Sequence, residues 1–88
     1  LKNNEVFMPV TVQDIKEHQD HFGIGDITNM DIAEYKRLLD DGAFFWINHN
    51  EIIRHTLSEE YIAATPGQVD ALIEHLKMFK EKMIAAGK

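Results

Sequence analysis

With 88 residues the chain has room for one hydrophobic core and no second, and its 44% hydrophobic and 27% charged residues suit a folded domain rather than a disordered polar segment. It has no cysteine, which excludes disulfides, thiolate nucleophiles and zinc–sulfur sites and leads us to expect a reducing, cytoplasmic setting. The net charge of −6 is uneven, with fourteen acids against five Lys and Arg over residues 1–76 and Lys77, Lys80, Lys82 and Lys88 against Glu81 beyond them, so an acidic body that repels a phosphate backbone ends in a basic tip suited to a helix C-terminus.

We read residues 1–88 as a single domain, with 1–10 as an N-terminal arm or edge strand and 11–88 as the folded core. Pro9 keeps Val6–Val10 out of a sheet centre. Three segments then carry one helix-start signature: Thr11-Val12-Gln13-Asp14, Thr28-Asn29-Met30-Asp31 and Thr65-Pro66-Gly67-Gln68. In each, a threonine oxygen is placed to take an orphan amide while the side chain three residues on reaches back; only Gln68 completes the strict capping box. Pro66 suits a first helical position, and Gly23, Gly42 and Gly87 follow apolar-periodic stretches as left-handed stops. Helices are therefore predicted at about 12–22, 29–41 and 66–86. In the last, Val69, Leu72, Ile73, Leu76, Phe79, Met83 and Ile84 follow helical spacing and read as its core face.

Between the second and third helices, Ala43–Leu57 holds two β-rich runs around Asn48-His49-Asn50, a hairpin signature because asparagine tolerates left-handed turn geometry. If Asn48 and Glu51 bracket a two-residue turn, Ile47 stands opposite Ile52 and Trp46 opposite Ile53. One face then carries Phe44, Trp46, Ile53, His55 and Leu57, and the other Phe45, Ile47, Ile52, Arg54 and Thr56. A loop one residue longer would reshuffle both. Large apolar groups on both faces mean either that helices or chain ends cover both, or that Phe45, Ile47 and Ile52 with Arg54 form a contact surface, aromatic groups and arginine being favoured at binding-site centres. Glu60–Ala64 reads as a short helix capped by Ser58 or as a third strand, and we favour the helix. The expected fold is thus α+β: two helices, a β-hairpin and a long C-terminal helix.

Catalytic and metal signatures are thin. His18 and His21 share a helix face with Glu17 and Asp14 nearby, yet an ion needs three or four convergent ligands, so a solvated polar face is the simpler reading. His55 reads as a half-buried histidine on the core face, and Ser58 lacks a nucleophile's neighbours. Gly23-Ile24-Gly25 has neither the third glycine nor the preceding strand of a dinucleotide loop. We expect no enzyme activity, no cofactor and no metal. No stretch approaches the roughly 18 apolar residues of a membrane span, so no membrane partner is expected either.

The helix–loop–helix followed by Leu38-Leu39-Asp40-Asp41-Gly42-Ala43-Phe44-Phe45 and a hairpin resembles part of a winged-helix domain, over roughly residues 11–57. The resemblance implies that Gly42 ends a recognition helix and that the hairpin is a wing. It also implies nucleic-acid contact through Lys36, Arg37 and Arg54, which would have to lie together. The chain has two helices before the hairpin where that family has three, and Asp31, Glu34, Asp40 and Asp41 surround the two basic residues of the would-be recognition helix. The favoured expectation is therefore a small non-catalytic protein-interaction module, regulatory or an assembly component, that binds another protein or itself as a homo-oligomer through Phe45, Ile47, Ile52 and Arg54. The alternatives are a winged-helix-like nucleic-acid binder and an acidic inhibitor imitating nucleic acid.

Overall fold

The structure is a computed structural model that describes residues 10–88. The arm or edge strand expected over Val6–Val10 lies, but for Val10, outside the described residues. The chain is α+β as expected: α1 (Val12–Phe22), a 3-10 turn (Ile27–Asn29), α2 (Ile32–Asp40), β1 (Phe45–Ile47), β2 (Ile53–His55), β3 (Tyr61–Ala63) and α3 (Pro66–Ala85).

Local chemistry sets the helix ends. Thr11 Oγ1 accepts from the Asp14 amide at 3.1 Å and the Asp14 carboxylate accepts from the Thr11 amide at 3.0 Å, a complete reciprocal box. At α3, Thr65 Oγ1 accepts from the Gln68 amide, but the longer Gln68 side chain reaches past Thr65 to the amide of Ala64 at 2.6 Å. The second start differs from expectation. Asp26 accepts from the Thr28 amide, the Thr28 hydroxyl and Asn29 Nδ2, which coils 27–29 into a 3-10 turn. With Thr28 captured there, α2 begins three residues later, capped by Asp31. The three stops form where the glycines stand, at φ of 68° for Gly23, 74° for Gly42 and 88° for Gly87. After α2 the Gly42 amide donates to Leu39 O and the Ala43 amide to Leu38 O, the paired bonds of a Schellman motif. A Cβ on Gly42 would meet Trp46 Cβ at 3.4 Å, an ordinary contact, so it is the left-handed conformation that favours glycine there.

The sheet is a three-stranded antiparallel meander of order β1-β2-β3. Its first turn corrects the expected register. Asn48 and Ile52, not Asn48 and Glu51, close the loop: the Asn48 amide donates to Ile52 O, and Glu51 takes the left-handed conformation at φ 62°. The Asn48 side chain is buried, and its Oδ1 accepts from the amides of Asn50 and Ile52, building the turn from inside. With one more residue in the loop, Ile47 stands opposite Ile53, Trp46 opposite Arg54 and Phe45 opposite His55. Residues 61–63 form a strand, not the favoured short helix. Ile53 pairs with Ala63 and Arg54 with Tyr61, and the intervening Ile62 bulges. Backbone pairing to β2 decides a segment too short to show a period of its own.

The buried apolar residues among those described are Leu38, Ala43 and Ala63. Leu38 and Ala43 sit at the corner where α2 turns into the sheet, and the Thr56 hydroxyl donates to Gly42 O at 2.6 Å beneath them. Tyr35 of α2 packs on Phe44 with ring centres 5.3 Å apart. α3 packs chiefly on β3 and then leaves the body; no residue of it is buried. The radius of gyration of 15.3 Å exceeds the about 12 Å of a compact chain of this length. The winged-helix resemblance stops at the helix-helix-hairpin order, because a third strand extends the hairpin and only the 3-10 turn lies between α1 and α2.

Candidate functional site

The one-residue change of register splits the expected contact set. Phe45 and Ile47 remain on one face, joined by Ile53 and Ala63. Arg54 moves to the other, with Trp46, and the bulge at Ile62 turns Tyr61 to that side as well. Ile52 lies just outside β2 against Asn48 and is half-buried.

Arg54 has structural work to do where it stands. Its Nε and Nη2 donate to the Glu59 carbonyl at 3.0 and 2.8 Å, and Nη2 reaches Glu59 Oε1 at 3.3 Å. The guanidinium lies 5.4 Å from the Tyr61 ring centre. It therefore clamps the β2–β3 turn, where Glu59 holds a left-handed φ of 64°. Arg37 is engaged in the same way, donating to Glu34 at 2.7 Å and Asp41 at 2.9 Å, and the Glu34 hydrogen bond raises its pKa. Of the three basic residues needed for nucleic-acid contact, two thus hold partners in their own chain, and they stand on different elements.

The remaining apolar face has the stronger shape. Phe45 is half-exposed and Ile47 is 61% exposed, although both belong to the sheet. On one side a hollow of about 400 Å³ is lined by Leu39, Gly42, Phe45, Ile47 and Ile53, with Trp46 and Asp40 also bordering it. On the other, a hollow of about 390 Å³ runs from Ile47 and Ile53 to Ala63, Pro66 and Val69, edged by Asn50 and Glu51. Ile47 and Ile53 are common to both. One apolar surface therefore runs from the end of α2 across the sheet to the start of α3, with carboxylates at its rim. Sequence reasoning missed Ile53, Leu39 and Val69: the wrong turn length turned Ile53 over, the helical spacing of Val69 marked it as core, and Leu39 reads only as part of the second helix.

The histidines take up local roles. His18 and His21 both pack on Phe22, at 5.1 and 4.7 Å between ring centres. Among the described residues no group of three or more His, Asp or Glu is placed to hold an ion. His55 is exposed, not half-buried as expected, because the new register turns it outward at the strand end. Its Nδ1 accepts from the Ser58 amide at 3.1 Å with Ser58 Oγ 3.0 Å away, and that hydroxyl donates to Glu60 Oε1 at 3.2 Å. The Ser58 amide and hydroxyl both lie against Nδ1 and the hydroxyl also reaches Glu60, so the trio ties the β2–β3 turn.

Among the described residues no helix is long and apolar enough to cross a membrane. No protein-family model matches the chain, and no curated protein or solved structure matches it either.

Proposed function

We propose that the chain is a non-catalytic protein-interaction module, a regulatory or assembly component, that binds another protein through the sheet face of Phe45, Ile47 and Ile53 and its flanks at Leu39 and Val69. Its setting is cytoplasmic, in keeping with a chain that has no cysteine. The observation that carries this reading is Ile47, 61% exposed between two apolar hollows. An isoleucine left in water forgoes about 1.5–3 kcal/mol relative to a buried one. A contiguous apolar surface of this kind, rimmed by Asp40 and Glu51, has the arrangement of a binding site with an apolar centre and a polar edge.

The test is a pull-down with the tagged chain from lysate of its source cells, after nuclease treatment, with Ile47→Asp as the comparator. The native chain should retain a stoichiometric protein that Ile47→Asp releases, while the circular dichroism of the two chains stays the same. Retention of the same protein by Ile47→Asp, or bound material that disappears with nuclease, would remove this reading.

A further inference from the structure

The same apolar surface does not end at Val69. Along α3, Val69, Leu72, Leu76, Phe79 and Met83, with Ala86 in the closing turn, recur at alternating spacings of three and four residues, the seam of a two-stranded coiled coil. Beyond its first turns this stripe is half-exposed: Leu76 is 52% exposed, Phe79 49% and Met83 53%, with Ile73 similarly exposed on its flank. A helix in a protein draws most of its stability from packing of such a face rather than from propensity, so this face calls for a partner.

We propose that the partner is a second copy of this chain, paired antiparallel along α3. The proposal rests on the interaction-module reading and names the occupant of the surface's α3 end. Three features of the chain select this occupant and this direction. In an antiparallel pair, Leu76 layers with Phe79 of the other copy, Leu72 with its Met83 and Val69 with its Ala86, so every seam residue has a partner about one symmetry point.

Charge agrees. The start of α3 carries Asp70 and Glu74, the latter paired with Lys77, and Glu51 lies at the rim beside Pro66 and Val69, whereas the end carries Lys80, Lys82 and Lys88 against Glu81 alone. Antiparallel pairing sets each basic end against the other copy's acidic start, and parallel pairing sets like against like. The area fits a weak, reversible pair. The half-exposed seam side chains, with Ile73 at their edge, leave on the order of 400 Å² of apolar surface per copy, so pairing removes at most about twice that, the low end for a specific interface.

The full chain at tens of micromolar, in size-exclusion chromatography with light scattering, should have twice its 10.2 kDa monomer mass. Phe79→Asp, a change at an exposed position, should return the monomer mass with an unchanged helical signal. Because the chain has no cysteine, direction is read by cross-linking. Leu72→Cys mixed with Met83→Cys should oxidise to a covalent dimer, and Leu72→Cys alone should not, its two copies lying more than ten residues of helix apart. A monomer mass for the native chain, a dimeric Phe79→Asp, or self-cross-linking of Leu72→Cys would each overturn the antiparallel pair. A native monomer that still captures a protein released by Ile47→Asp would overturn the pairing alone and leave the sheet-face reading standing.

Discussion

Asp26 accepts three hydrogen bonds inside the loop between α1 and α2, from the Thr28 hydroxyl, the Thr28 amide and the Asn29 side chain, and together these hold its pKa below the usual carboxylate value. Asp14 is lowered in the same direction, first by the Thr11 amide and then by the Thr11 hydroxyl. A carboxylate with a depressed folded-state pKa stabilises the fold above its unfolded value and loses that contribution as the pH falls through the folded one. Both groups are exposed and screened by solvent, so the effect is modest. Melting temperature should fall as pH is lowered from about 5 towards 2, below the ordinary carboxylate value of about 4. Asp26→Asn should melt lower than the native chain at neutral pH and show a shallower acid slope; parallel slopes would mean that the loop network is absent in solution. At this scale the sequence was readable wherever cap and partner lie within three residues, as at Thr11 with Asp14. It misled at Thr28 because Asp26 and Asp31 both compete for the same short stretch, and local spacing does not rank three candidate caps.

The β1–β2 turn is the element on which the site depends. A single residue in its loop decides which side chains share a face with Ile47, and that residue is Glu51 in a left-handed conformation. Relief of Cβ strain at this position outweighs the added chain entropy of glycine, so Glu51→Gly should stabilise by about 0.5 kcal/mol and Glu51→Val should destabilise by about 1 kcal/mol. Chemical denaturation measures both; a loss of stability in Glu51→Gly would show that the Glu51 side chain contributes more than its backbone costs. The existence of a hairpin between Phe45 and Ile53 was readable from β-rich runs around Asn48-His49-Asn50. Its register was not, because the burial of Asn48 and the two amides its side chain accepts are tertiary facts. Residues 60–64 failed for a related reason: five residues carry no decisive period, and pairing with β2 supplied the answer.

For the whole molecule, the described core is narrow, with Leu38 its only large, fully buried side chain. Leu38→Ala removes that contact and should cost about 3 kcal/mol, a large share of what a domain of this size has. Its thermal transition should broaden or vanish; a cooperative melt within a few degrees of the native one would place the main stability elsewhere. The apolar period of α3 was plain in the sequence, but its destination was not, because a core face and an interface present the same side chains at the same spacing. β1 carries a last consequence. Among the described residues it is an outer strand of the sheet, three residues long, apolar and without a charge of its own, and no described strand pairs with its far side. Such an edge is a template for uncontrolled strand addition, and here its shortness is the safeguard: Gly42 breaks the extended backbone before it and the Asn48 turn breaks it after. A change that lengthened β1 by straightening either end would leave the fold recognisable and make the protein prone to fibre formation.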